Sequence, residues 1–299
     1  MKRRTFLHQT AALTAAAFLP LDLLAKPKGL KLGYSAITWG GNDAQAIADI
    51  AALGFKGIQL RANTFGPYKA KPSELKAMLD EKGLTLAMFS SGNVEVDPAK
   101  EQSTIDTHVA HASFVKALGG SALQLTNSLR KPGVVPTTDE LKRLAEVMNK
   151  IGQQTADLGV QATYHNHMNQ WGETPEEVDV LVQAMNPKYV RLLLDVAHYH
   201  QGGGIPAKAI GQYRDVLHAL HLKDTLSPIP GNPNPKSYKF VELGQGNVDF
   251  PAVFAALEKV NFKGWGVIEL DAVPDKSRTP LQCGEITKAY LKDKMKMAI

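Results

Sequence analysis

The chain has one cysteine, Cys283, in 299 residues, which rules out an intramolecular disulfide, a cysteine-based zinc knuckle and a CxxC redox motif. No apolar run reaches the ~20 residues that a membrane-spanning helix needs. There is no Gly-rich phosphate fingerprint after the first strand-like segment, no arginine cluster, and no low-complexity tract or short-period repeat. Strong net charge is missing too. The formal charge is +5, of which Lys2, Arg3, Arg4 and Asp22 in the first 25 residues supply +2, leaving +3. That is too little for a nucleic-acid footprint, so no nucleic-acid partner is expected. What is present is ordinary globular composition, 44% hydrophobic and 21% charged, enough to bury a sizeable core. At about 150 residues per domain this length fits two domains, while an α/β barrel of about 250 residues uses it as one.

Residues 1–25 read as an address. A basic start is followed by an uncharged apolar run from Ala11 to Leu19, then by Pro20, Asp22 and Leu23-Leu24-Ala25, the layout of a signal peptide. The string Arg3-Arg4-Thr5-Phe6-Leu7 resembles a twin-arginine export signal, which implies an exported, periplasmic protein with no membrane segment in its mature form. Residues 26–299 are then left to fold, and a homo-oligomer is compatible with them.

Eight β-like runs recur along this remainder, at 30–37, 57–62, 84–91, 122–127, 161–167, 190–198, 216–224 and 264–270. Helical stretches follow each in turn, near 43–53, 72–82, 99–118, 138–158, 175–185, 206–214, 251–260 and 280–297, with apolar spacings of three and four. Several open on a proline and acids, as in Thr174-Pro175-Glu176-Glu177, and several close on Leu-Gly or Lys-Gly. Eight βα units predict a single closed (β/α)8 barrel of the TIM type rather than an open doubly wound sheet. The long irregular stretch 225–248, rich in proline, follows the seventh strand and would overhang the carboxyl-terminal face as a lid.

Four successive strands end in polar side chains, and burying such groups costs several kcal/mol unless they are paired or metal-bound. The fifth ends Tyr164-His165-Asn166-His167, and a period of two puts His165 and His167 on one face. The sixth runs through three leucines to Asp195, with His198 and His200 beyond, the seventh ends His221-Leu222-Lys223, and the eighth ends Ile268-Glu269. One inward group from each, His165 (or His167), Asp195, His221 and Glu269, would converge as two imidazoles and two carboxylates. This set suits one divalent ion, Mn, Co, Zn or Fe, better than Ca or Mg. By contrast, His218, His108, His111, Met295 and Met297 read as packing or helix-face residues.

These strings, together with Glu242-Leu243-Gly244-Gln245-Gly246, resemble the sugar phosphate isomerase/epimerase family, the xylose isomerase-like barrels, from about Leu30 to Tyr290. The resemblance implies a (β/α)8 barrel with a divalent metal held by strands five to eight, and Asp195, His221 and Glu269 match its ligand positions. It also implies isomerisation, epimerisation or dehydration of a keto-sugar, a sugar derivative or a keto-cyclitol. Many members carry a glutamate where His165 stands. His165 is instead similar to a His-Asn-His subgroup that includes inosose-dehydratase-like proteins, which implies that the position still binds metal. Gln59 stands where relatives often have another glutamate, and it can bind a hydroxyl but cannot take a proton.

The reaction expected is proton abstraction beside a metal-polarised carbonyl, through an enediolate. Glu269 is the leading base, His198 or His167 the acid or hydroxyl ligand, and Lys223 a cation near developing oxyanion charge. Gln59, Trp39, His198 and Lys223 are the candidate substrate contacts, with Trp171 and Phe65 as further rim aromatics. Elimination and isomerisation fit equally. A sugar phosphate does not, for want of a phosphate cradle. Two rivals come from other classes: a metal-bearing sugar-binding protein without turnover, and an abasic-site-endonuclease-like metallohydrolase, which needs a basic groove that +3 does not supply.

Overall fold

The computed structural model describes residues 27–127, 130, 131, 133–234 and 237–299. The export signal expected at residues 1–25 lies outside the described residues. The elements are β1 (Gly29–Ser35), α1 (Asp43–Leu53), β2 (Gly57–Arg61), α2 (Ala62–Tyr68), α3 (Pro72–Glu81), β3 (Thr85–Asn93), α4 (Glu101–Ala117), β4 (Ala122–Thr126), α5 (Thr138–Asp157) and β5 (Gln161–His165). They continue with α6 (Pro175–Ala184), β6 (Val190–Asp195), α7 (Val196–Gln201), α8 (Pro206–Gln212), β7 (Leu217–Leu222), β8 (Asp224–Leu226), β9 (Lys239–Val241), α9 (Phe250–Lys259), β10 (Lys263–Ile268) and α10 (Pro280–Ala289). Eight strands close into a parallel barrel in the order β1-β10-β7-β6-β5-β4-β3-β2, so the eighth barrel strand of the sequence is β10. β8 and β9 form a separate antiparallel hairpin. The chain is a single (β/α)8 TIM barrel.

Local chemistry sets the helix ends. Thr137 and Thr279 form reciprocal capping boxes with Glu140 and Gln282, and Pro175 follows the N-cap Thr174. Gly54, Gly83 and Gly119 take left-handed conformations at or just beyond the ends of α1, α3 and α4, as the Leu-Gly and Lys-Gly pairs predict. Two helices were not expected. The seven-residue α2 follows β2 directly, and α7 takes over three residues, Val196 to His198, that read as strand. Asp195 explains the second: its Oδ1 accepts the N–H groups of Ala197 and His198, ending β6 and starting a helix in one step.

The barrel places the polar groups by simple alternation. Met88, Ala122, Leu193, Ala219 and Val267 form a small buried apolar cluster inside the sheet. Two residues further along each strand path come Ser90, Gln124, Asp195, His221 and Glu269. The outward residues, such as Ile58, Leu60, Phe89, Leu194 and Leu220, belong to the larger core between sheet and helices. The inside of the barrel is therefore apolar below and polar at its carboxyl-terminal mouth, where barrel enzymes carry their chemistry.

Candidate metal centre

His165, Asp195, His221 and Glu269 come together as expected. One ligand atom from each lies within 4.8 Å of those of the other three, and all four residues are buried. His221 Nδ1 stands 3.6 Å from Asp195 Oδ2 and 3.4 Å from Glu269 Oε1. Three atoms of this set, His165 Nδ1, Asp195 Oδ2 and His221 Nδ1, are buried without a hydrogen-bond partner. Orphaned buried polar atoms are rare because each carries a desolvation penalty of about 1–3 kcal/mol. Three of them converging, all able to present a lone pair, are what a divalent cation satisfies. The residues fit the metal that the sequence implies.

The surrounding bonds hold those lone pairs in place. His221 Nε2 lies 2.9 Å from Gln59 Oε1, so that nitrogen carries the proton and Nδ1 is free to ligate. The same Gln59 amide donates to Glu269 Oε2 at 3.1 Å and approaches Ser35 Oγ at 3.4 Å. Gln59 therefore aims two ligands as well as facing the pocket. Asn166, between the two histidines of the fifth strand end, turns away from the pocket and clamps the Asp195 backbone, donating to its carbonyl and accepting its N–H. Burial holds the His165 imidazole well below its usual pKa, with His221 and Lys223 adding to the effect, which keeps a ligating lone pair available.

Lys223 is fully buried and bridges the site. Its Nζ donates to Asp271 Oδ1 at 2.6 Å and to Glu269 Oε1 at 3.3 Å, and it lies 3.2 Å from His198 Nε2. Burial alone would lower its pKa, but the carboxylates of Glu269, Asp271 and Asp195 outweigh that and keep the ammonium above its ordinary value. Burial likewise works to raise Glu269, yet the neighbouring His221 ring and the Lys223 ammonium outweigh it and push its carboxyl down to about 2.

Two roles expected from sequence change here. Glu269 is engaged by Lys223 and Gln59 and stands among the ligand atoms, so the base role expected of it competes with these contacts. His198 does not fit an acid: Met168 N–H reaches its Nδ1 at 3.3 Å and Lys223 reaches its Nε2, so the ring faces donors on both sides. Burial, with Lys223 next, holds its pKa well below the usual value. His167 is only half-buried, and its Nδ1 is 2.6 Å from the Met168 carbonyl, which places the proton there and leaves Nε2 free. Its ring lies over that of His198, centroids 3.8 Å apart, and His165, His167 and His198 form a second close set of ligand atoms.

Trp39 is corrected outright. It is buried in the outer core, edge-on to Tyr34, with Nε1 donating to Asp49 on α1, so it packs a helix and does not face substrate. Phe65 packs against His111 and Phe114, and Trp171 against the outer core. His108 and His111 are packed as expected, sharing the hydroxyl of Ser91.

The aromatic that does reach the site is Phe240, on the β8–β9 hairpin. Lys223 Nζ sits 4.1 Å from its ring centroid, and the His198 ring meets it edge-on at 5.2 Å. The stretch expected as a lid contributes the β8–β9 pairing, which brings Phe240 to the mouth. Its base is tied by Asp224, whose carboxylate accepts the backbone N–H of Thr225, Gly244, Gly246 and Val248. A Cβ at Gly246 would stand 2.3 Å from that carboxylate, so only glycine fits. Sequence reasoning also missed Asp271, although it stands two residues beyond Glu269, just past the end of β10. Nothing in the sequence marked Phe240.

Comparison with known proteins agrees with this geometry. The family described as xylose isomerase-like TIM barrel matches residues 47–285. An inosose dehydratase of Clostridium botulinum (strain Alaska E43 / Type E3) is 27% identical over 296 residues, covering 89% of this chain and 97% of that one. Among solved structures, a zinc-bound IolI protein superposes with a TM-score of 0.71 at 19% identity, covering 89% of this chain and 98% of that one. The probable 3-DHS dehydratase AsbF of Bacillus anthracis gives a TM-score of 0.71 at 15% identity, covering 88% and 98%. At these identities the two structures show the fold alone.

Proposed function

Because the chain belongs to the xylose isomerase-like TIM barrel family, we propose that it is a divalent-metal-dependent enzyme acting on a keto-sugar, a sugar derivative or a keto-cyclitol by proton transfer at carbon. The observation that carries this reading is the convergence of His165 Nδ1, Asp195 Oδ2 and His221 Nδ1 as orphaned buried atoms, with Glu269 beside them. The inosose dehydratase relatives favour elimination among the outcomes open to an enediolate.

His165, Asp195, His221 and Glu269 would hold the ion, which when bound supplies Lewis-acid polarisation of a substrate carbonyl. The chain's own groups do the rest. Lys223 presents a fixed buried ammonium toward negative charge developing on substrate oxygen. His167, with its proton turned to Met168, offers the Nε2 lone pair to the carbon-bound proton and can return that proton to a leaving hydroxyl. His198 and Phe240 hold Lys223 from two sides, and the hairpin carrying Phe240 helps to exclude water.

The test is solvent exchange at carbon. The metal-loaded protein, incubated in D₂O with a panel of inososes and ketohexoses, should incorporate deuterium beside the carbonyl of at least one compound, and His167→Gln should slow incorporation by about 10²-fold or more. Binding without any exchange would favour the non-catalytic sugar-binding reading. The net charge of +3 outside the first 25 residues argues against the nuclease reading.

A further inference from the structure

At the carboxyl-terminal ends of β1, β2 and β3 lies a recess of about 210 Å³, lined by Gly40, Gly41, Arg61, Ala62, Asn63 and Ser90. Its place follows from strand register. Gln59 pairs with Ser35 and Met88, and Arg61, two residues on, pairs with Ser90. Gln59 points inward to Glu269 and His221, so Arg61 shares its face, about 7 Å further along the strand at ~3.3 Å per residue. Ser90 shares the inner face of Met88 in the same way. The recess is thus one step out from Gln59, whose amide touches two of the ligands.

Arg61 is half-buried, and among the described residues its guanidinium makes no hydrogen bond, ion pair or ring contact. Arg130 with Glu173 and Glu177, Arg143 with Glu101, and Arg278 with Glu242 show the paired state at comparable depth, while Arg191, the other half-buried arginine without a partner among the described residues, lies at the start of β6, away from the carboxyl-terminal mouth. The Asp43 carboxylate, which Asn63 contacts, accepts from Asn63 and Thr64 and makes no pair with Arg61. The recess wall opposite is open. A Cβ on Gly40 would meet nothing within 4 Å, and one on Gly41 only the Asn63 amide at 3.9 Å.

We infer that Arg61, with Ser90 and the Asn63 amide around it, binds a carboxylate on the substrate, so that the preferred substrate is an acidic keto-sugar rather than a neutral one. This rests on the reading above that the mouth takes a sugar-like substrate. A single planar guanidinium matches a carboxylate with two parallel hydrogen bonds. A phosphate dianion calls for more than one cation, and Arg61 is the only cation among the described residues that line this recess.

The test is isothermal titration of the metal-loaded protein with D-fructuronate and with D-fructose, which differ by one carboxylate in place of a hydroxymethyl group. D-Fructuronate should bind at least about tenfold more tightly, with a difference that shrinks as salt is raised. Arg61→Gln should abolish the preference while leaving metal content unchanged, and Arg61→Lys should retain part of it. Equal binding of the two sugars, binding of neither, or a preference that survives in Arg61→Gln overturns the inference. Metal content measured on the same samples separates this from failure of the metal site, because a metal-free wild type contradicts the function proposed above while a metal-loaded protein indifferent to the carboxylate contradicts only the role of Arg61.

Discussion

Asp195 performs two jobs with two different oxygens, and Asp195→Asn separates them. Oδ1 caps α7 by accepting from Ala197 and His198 at 2.9 Å each, and an asparagine carbonyl can do the same. Oδ2 is the orphaned atom facing His221, and an amide nitrogen there cannot ligate a cation. At a metal concentration 100 times its Kd, ligand linkage stabilises the native wild type by about 2.7 kcal/mol. For a chain of this size that raises Tm by roughly 5–10 °C. If loss of one carboxylate ligand weakens affinity by about 100-fold, the same metal adds only about 0.4 kcal/mol to Asp195→Asn, a shift of about 1 °C. In the absence of metal, Asp195→Asn should melt near the wild type, whereas Asp195→Ala, which loses the cap, should be less stable by about 0.5–2 kcal/mol. Thermal unfolding with and without Mn²⁺ or Zn²⁺ reads all three. A full metal-dependent shift in Asp195→Asn would refute the assignment of Oδ2 as a ligand.

Gln59→Leu removes the acceptor that fixes His221 and the donor to Glu269, and should weaken metal binding by about 10–100-fold in a calorimetric titration while the fold persists. Asp224→Ala strands four backbone N–H groups at the base of the hairpin, and limited proteolysis should then cut between residues 227 and 241 faster than in the wild type. His108 is buried, and burial pushes its pKa down to about 4 against an ordinary value of 6.5. Between those values the unfolded chain binds a proton that the native one does not, so this stabilisation is present above about pH 6.5 and is lost as pH falls toward 4. At pH 5 the loss is about 2 kcal/mol. Urea midpoints at pH 7 and pH 5 should show this loss, and His108→Asn should reduce it.

The barrel was legible because eight short apolar runs, buried on both faces, are separated by helices that carry their own start and stop chemistry. The ligand set was legible from the period of two at the strand ends: three of the four ligands stand two residues beyond inward apolar residues, Leu193, Ala219 and Val267. The roles assigned beyond the ligands depended on partners that no local pattern reveals. Trp39 lies near a strand end as a sugar-stacking residue would, but Asp49 on α1 holds its indole outward. Glu269 looked like a free base until Lys223 and Gln59 were placed against it. Phe240 reaches the site through hairpin pairing from Asp224–Val241 to Leu226–Lys239, a non-local contact across a proline-rich stretch. The lone state of Arg61 is a fact about its surroundings and is invisible in the string around it.

The central claim is a single catalytic divalent ion on His165, Asp195, His221 and Glu269. Elemental analysis of protein purified without chelators, alongside folded His221→Ala and Glu269→Ala variants, tests it most directly. The account predicts close to one transition-metal ion per chain in the wild type and its loss in both variants. A folded wild-type protein that carries no metal and takes up none when Mn²⁺, Co²⁺, Zn²⁺ or Fe²⁺ is added would contradict it.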